Sequence, residues 1–436
     1  MPRLHVLAAL ALLGCTGALA QAPPPAPNGP LVLTFQEALA RARANSTQAL
    51  TAALDAQIAS ETAVQAKAAL LPNANWNNGY IYTQPNGTDT GVFVANNGPH
   101  EYINQATVHS DVWAPGRIAD YHASLAAAAA ARARADIALR GLTAVVVQNY
   151  YGMVVAARKI DDARHSLSEA QEFVDITRKL EAGGEVAHAD VVKAEILLLQ
   201  RQRDLQDAQL ALEKARIGLA VLLFPDFRQD FDVIDDLGTR PPLPGFAQAE
   251  NLAQRNNPDM RLAHATITQQ TYAVKSARAL YYPTFSLDYF FGMDALNYGA
   301  DNRYGQNNLG SALVAGVNIP VWNWGLTRSR VRQAEFQLQQ ARVALSATQR
   351  QLLANLNAFY QEARTANEQM DSLRHSLDLA EESLHLTLLS YQAGEVDILS
   401  LVDAQTTLAL ARIAYDDGLY RYRVALGDLQ TVTGVF

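Results

Sequence analysis

Cysteine is almost missing from this chain: 436 residues contain one, Cys15. That excludes a disulfide framework and any cysteine-built zinc site. A basic excess is missing too. The 35 lysines and arginines are outnumbered by 43 aspartates and glutamates, and a net charge of −8 argues against a nucleic-acid partner. Charge of either sign is sparse at 18 %, yet 49 % of residues are hydrophobic, which rules out wholesale disorder. Beyond the N-terminus no run reaches the roughly 18 apolar residues that a membrane-spanning helix needs. There is no P-loop, no dinucleotide-binding glycine pattern, no GxSxG and no HExxH. The nine histidines are scattered, and His165 and His375 occupy one repeat position, so symmetry accounts for that pair better than a metal. No cofactor, metal or catalytic centre is expected.

What the N-terminus does have is an address. Met1-Pro2-Arg3 precedes an apolar run from Leu4 to Leu19, the pattern of a secretory signal peptide. Cleavage after Ala20 would make residues 1–20 the leader. The alternative is cleavage before Cys15, where Leu12-Leu13-Gly14-Cys15 resembles a bacterial lipobox and would leave Cys15 lipidated. Either route takes the protein out of the cytoplasm. Residues 21–32, rich in proline as far as Pro30, read as an extended tether.

The rest of the chain is one pattern written twice. An offset of 211 residues pairs Phe35 with Phe246, Asn45 with Asn256 and Pro72 with Pro283. At 209, Val108 meets Val317 and Trp113 meets Trp322; at 210, Arg164-His165-Ser166-Leu167 returns as Arg374-His375-Ser376-Leu377. Such drifts fall where loops and helix turns absorb them. The halves are 33–240 and 241–436, with Pro241-Pro242-Leu243-Pro244 at the junction.

Each half predicts the same order of elements. A helical stretch (Phe35 to Leu70, Phe246 to Tyr281) is stopped by Pro72 or Pro283, which lack the N–H that a continuing helix needs. Two strands follow, Asn73 to Tyr82 with Tyr102 to Trp113, and Thr284 to Phe291 with Leu309 to Val321. Their apolar and polar residues alternate. Trp76, Tyr80 and Tyr82 oppose Asn75 and Asn77; Ala106, Val108 and Val112 oppose Thr107, His109 and Asp111; Phe285, Leu287, Tyr289 and Phe291 oppose Ser286 and Asp288. About ten residues with one aromatic-bearing face suit a transmembrane β-strand, and an ordinary half-buried sheet has the same alternation. Trp76, Trp113, Trp322 and Trp324 are candidates for a membrane-interface girdle.

Two very long helices come next, Ile118 to Leu180 and Thr327 to Tyr391. Each breaks at glycine (Gly183-Gly184, Gly394) before a further helix to about Phe224 or Val432. Sixty residues span about 90 Å, too long for a globule. Val146, Met153, Ile160, Leu167 and Val174 recur every seven residues, as do Leu356, Ala363, Met370, Leu377 and Leu384, which is a coiled-coil seam. Four strands cannot close a barrel, and open strand edges are forbidden in lipid. Strands that enter a membrane must therefore be pooled among copies. Three copies give twelve strands and a pseudo-sixfold helical wall; two or four also close on paper.

The residues Asn256-Asn257-Pro258, Ala277-Arg278-Ala279 through Pro283, Ile319-Pro320-Val321-Trp322-Asn323-Trp324-Gly325, and Tyr391-Gln392-Ala393-Gly394 through Val402-Asp403-Ala404-Gln405-Thr406-Thr407-Leu408 resemble the TolC-type outer-membrane efflux proteins. The resemblance covers about Leu33 to Gly434. It implies a mainly α protein with a membrane β-barrel portion: a homotrimer whose 12-stranded barrel sits in outer-membrane lipid above an α-barrel crossing the periplasm. The implied function is an exit channel for efflux or type I secretion, with a periplasmic adaptor and an inner-membrane pump docking at the inner end. The implied gate lies on the helix after the second glycine break. Asp403 matches one gate aspartate, Ser400 stands where the family has another, and Tyr391 matches a tyrosine that ties the closed gate. The family's arginine partner falls on Val396, a departure. Asp190 and Lys193 are the first-half counterparts of Ser400 and Asp403. The reading from a different class is a soluble or lipid-tethered periplasmic coiled-coil scaffold.

Overall fold

The computed structural model describes residues 31–84, 99–302 and 304–435. The leader, Cys15 and residues 21–30 lie outside the described residues.

The chain runs β1 (Leu31–Leu33), α1 (Phe35–Asn45), α2 (Thr47–Ala68), β2 (Asn73–Tyr82), β3 (His100–Trp113), α3 (Pro115–Ala182), α4 (His188–Leu223) and β4 (Phe231–Val233). The second half gives α5 (Phe246–Asn256), α6 (Pro258–Ala279), β5 (Thr284–Ala295), β6 (Leu309–Asn318), α7 (Leu326–Gln392) and α8 (Ile398–Thr433). Matched helices have 11 and 11, 22 and 22, 68 and 67, and 36 and 36 residues, so the duplication is carried into three dimensions.

The first helical stretch of each half, expected as one helix, is two. Asn257 sits before Pro258, whose ring disfavours helical backbone in the residue ahead of it. Asn257 instead caps α6, its Oδ1 accepting from the amides of Asp259 (2.9 Å) and Met260 (3.2 Å). In the first half Ser46 does the same for α2, accepting from the Ala49 amide at 3.3 Å. Short capping side chains compete with the helix for its own amides, and here they break it.

The seven-residue stripes face inward. Val146, Met153, Ile160 and Val174 are buried on α3, as are Leu356, Ala363, Met370 and Leu377 on α7. Beyond the sheet the helices lie side by side in the order α2, α3, α6, α7. Toward the other end the order is α4, α3, α8, α7.

Between these two regions lies a belt that the sequence pattern did not reveal. β1, partly within the expected tether, pairs in parallel with β4 through Leu31↔Phe231 and Leu33↔Val233. Three-residue strands carry no readable alternation. They are held by α3: the buried Tyr150 hydroxyl lies 3.1 Å from the Leu33 carbonyl and 2.9 Å from that of Ile234.

At the belt, charges tie α3 to α8. Arg158 forks onto Asp235 (2.5 and 2.9 Å) and reaches Asp416 at 3.2 Å; Lys159 meets Asp417 at 2.8 Å and Arg412 meets Glu169 at 3.1 Å. Burial, together with the nearby Asp162 carboxylate, pushes Asp416 up to about 6 despite Arg158. The folded chain thus holds a proton on Asp416 more readily than the unfolded chain does. This group costs stability as pH rises from about 4 to 6, and the cost persists above that window. Asp416→Asn should therefore match wild type near pH 4 and melt higher near pH 7. Thermal melts across that range check this, and a variant that melts lower near pH 7 would show that Arg158 needs the charge.

Candidate functional site

Two helical hairpins form the end of the molecule remote from the sheet. Gly184 (φ +77°) and Gly394 (φ +75°) adopt the left-handed conformation that ends a helix most cheaply. Both turns have the same hydrogen bonds. Glu185 N donates to Leu180 O (2.9 Å) and Gly184 N to Glu181 O (2.8 Å). Likewise Glu395 N donates to Ser390 O (2.9 Å) and Gly394 N to Tyr391 O (3.1 Å).

A small core joins the hairpins: Phe173 and Val174 of α3, Ala194 and Leu197 of α4, Tyr391 of α7, and Ile398 and Leu401 of α8. Tyr391 is 3 % exposed, with its ring edge-on to Phe173 at 5.6 Å. Its hydroxyl lies 3.5 Å from Thr177 Oγ1, which itself donates to the Phe173 carbonyl at 2.9 Å. Tyr391 thus ties α7 to α3 mainly through its ring. Val396 packs beside this core.

The other candidates lie on the surface of the same tip. Ser400 serves α8 itself, its amide (3.0 Å) and hydroxyl (2.7 Å) both donating to Asp397 Oδ1. Those two bonds hold the Asp397 carboxyl below its usual range, with a smaller contribution from Lys193 on the neighbouring hairpin. Asp397 is the residue that sequence reasoning missed; an aspartate three positions before a serine at a helix start is its signal. Asp403 is exposed one turn further along α8. Asp190 and Lys193 pair with each other on α4 at 3.3 Å. The tips differ in charge. From Glu381 to Ala411 there are five carboxylates and no lysine or arginine. The first-half tip is mixed, with Arg178 on Glu195 (2.6 Å) and His188 on Glu181 (2.8 Å).

At the opposite end, the antiparallel sheet β2-β3-β5-β6 separates the residue types by face. Cross-strand pairs place Trp76 with Ala106, Val108 with Tyr289, Phe291 with Ala106, Tyr289 with Leu313 and Phe285 with Val317 on one side. The other side holds Asn75 with Thr107, His109 with Asp288, and Asp111 with Ser286. There Asn77 donates to Thr107 at 3.0 Å and His109 Nδ1 lies 2.6 Å from Asp288. The apolar side is exposed in this single chain, Leu313 by 65 %. A water-soluble sheet would have to bury it.

Two expectations need correction here. Val112 is an extra residue at a bulge, so Trp113, not Val112, takes the apolar face beside Phe285; a bulge shifts the alternation by one. β6 stops at Asn318 rather than Val321, since Pro320 has no amide for the ladder. Of the four tryptophans, Trp76 lies within β2, whereas Trp113 contacts Tyr282 (6.4 Å) at the helix-side end. Trp322 and Trp324, 5.7 Å apart, are 75 % and 89 % exposed between β6 and α7. Tyr80, Tyr102 and Tyr298 form a second aromatic row at the far end. Phe285 and Ala295, facing Trp113 and Tyr102, bracket ten residue steps of β5. That is roughly 33 Å along the strand and about 25 Å along the membrane normal at a tilt of about 40°, the height of an outer-membrane apolar band.

Long helical hairpins beneath a four-stranded sheet with an exposed apolar face, its outer strands β2 and β6 each unpaired on one edge among the described residues, define the fold class of outer-membrane channel subunits. The chain belongs to the Outer membrane efflux protein family, whose model matches residues 38–223 and 250–435, one segment in each repeat. It is similar to the cobalt-zinc-cadmium resistance protein CzcC of Cupriavidus metallidurans, 24 % identical over 297 residues. That match takes in 67 % of this chain and 66 % of the relative, slightly under two thirds of the relative's length. In fold it is similar to a membrane protein from Pseudomonas aeruginosa (TM-score 0.81, 20 % identity, 92 % of this chain and 90 % of that one). The Campylobacter jejuni CmeC outer membrane channel gives a TM-score of 0.78 at 17 % identity, over 99 % of this chain and 94 % of that one.

Proposed function

We propose that this protein is a trimeric outer-membrane exit channel for efflux or type I secretion. The observation that carries this reading is the sheet: an exposed apolar face with aromatic rows about a membrane apart, a polar opposite face, and two unpaired edges on β2 and β6. Lipid tolerates no such edge. Pairing β6 of one copy with β2 of the next removes every edge. Three copies make a twelve-stranded barrel whose polar face lines the pore. α3, α4, α7 and α8 continue the duct through the periplasm. The absence of any catalytic constellation in the sequence fits a passive duct worked by an inner-membrane pump through a periplasmic adaptor.

The gate is the hairpin tip. Three copies of the acidic second hairpin gather Asp403 and Asp397 into an anionic constriction that concentrates cations and repels anions. Ser400 holds Asp397 in place, Tyr391 holds the hairpin against α3, and the Asp190–Lys193 pair flanks the entrance. Adaptor docking opens the tip by drawing α7 and α8 away from the Phe173–Tyr391 core.

A detergent-dependent trimer that conducts ions in planar bilayers is the expected result. A monomer released from membranes without detergent, and without conductance, would restore the scaffold reading. Asp403→Ala should raise the concentration of a multivalent cation needed for block from the periplasmic side by about tenfold, or ~1.4 kcal/mol, because three carboxylates are lost at once. Unchanged block would remove Asp403 from the constriction.

A further inference from the structure

The helices reverse the charge of the chain where they meet the sheet. The ten residues of each nearest the strands (59–68 of α2, 115–124 of α3, 270–279 of α6, 326–335 of α7) carry seven basic and three acidic side chains. This collar is +4 in a chain of net −8. Some of its charge is used internally, Arg117 on Asp111 and Arg278 on Glu335, each at 2.6 Å. Arg328, Arg330 and Arg332 are exposed and make no ion pair among the described residues.

The fold does not require these arginines. At the offset of 209 residues the first-half positions are Ala119, Tyr121 and Ala123. Nor do they help α7. Arg328 and Arg332, four apart, repel on one face, and with no acid in the first turn they oppose the helix dipole. One turn before them stand Trp322 and Trp324, and the apolar face of β6 ends just above.

We infer that this collar, centred on Trp322, Trp324, Arg328 and Arg332, binds anionic phosphodiester headgroups of the lipid leaflet on the helix side of the barrel. The inference rests on the membrane reading above. On that reading the patch continues the lipid-facing surface and its exposed tryptophans fall at the depth where amphipathic rings collect, while its guanidiniums match phosphate geometry and charge. A basic cluster beside an apolar surface is drawn to anionic lipid, by roughly fivefold in affinity per residue.

Native mass spectrometry of the full chain in detergent, with phosphatidylglycerol or phosphatidylcholine added, tests it. Wild type should retain phosphatidylglycerol in preference, Arg328→Gln with Arg332→Gln should lose more than about fivefold of that retention, and Arg328→Lys with Arg332→Lys should keep most of it. Equal retention of the two lipids by wild type would overturn the inference. So would unchanged retention in the glutamine variant, displacement by an equal concentration of inorganic phosphate, or collapse of that variant alone to monomers, which would assign the arginines to contacts between copies. A wild-type protein that is monomeric and soluble without detergent would instead remove the membrane reading itself, before any lipid is added.

Discussion

Leu313→Arg is expected to abolish membrane assembly, whereas Asn75→Arg should assemble normally. Leu313 lies midway along β6 on the apolar face, opposite Tyr289. An arginine at the centre of a bilayer costs about 2–4 kcal/mol on a barrel strand. Three copies bring the cost to about 6–12 kcal/mol, as large as the stability of a typical domain. Asn75 pairs with Thr107 on the polar face, where a lumenal cation changes selectivity rather than insertion. Detergent-extracted trimer in the membrane fraction measures both. If Asn75→Arg failed and Leu313→Arg assembled, the two faces would be assigned the wrong way round.

Tyr391→Ala should open the channel at rest, and Tyr391→Phe should barely change it. The ring is buried against Phe173, and removing a buried aromatic side chain costs about 3–5 kcal/mol. That loss falls on the core that holds α7 and α8 to α3, so resting conductance should rise markedly. The hydroxyl is 3.5 Å from Thr177, the limit of a useful hydrogen bond, and contributes less than about 1 kcal/mol. Single-channel recording separates the two. A phenylalanine variant as leaky as the alanine variant would move the latch from the ring to the hydroxyl.

Much of this architecture is legible in the sequence because it is periodic. Four of the five heptad positions quoted on each of α3 and α7 are buried, and Leu167 and Leu384 are half-buried. Asn73 to Tyr82 is the strand that alternation predicts, residue for residue. Tyr391 and Asp403 are visible only through the family resemblance, since nothing local distinguishes them from packing or solvated helix positions. The belt was invisible, for Leu31–Leu33 and Phe231–Val233 are too short to alternate and meet across about 200 residues of chain. Val112 was assigned to the wrong face because a bulge leaves no mark in hydropathy. Asp397 carries only the short capping signal of an aspartate three residues before Ser400, which marks a helix start and not a site.

The sequence by itself determined the repeated pattern, the two very long helices with their glycine breaks and the alternating texture of the strands. These follow from spacing alone, whereas the division of each first helical stretch into two helices does not. Only the tertiary structure decided that Tyr391 is a buried ring and not a surface latch, that Asp397 rather than Asp403 is fixed by Ser400, and that unpaired arginines crown α7 beside two exposed tryptophans. Those facts depend on which helix faces which, and that is set by contacts between residues far apart in the chain, 214 positions for Thr177 and Tyr391.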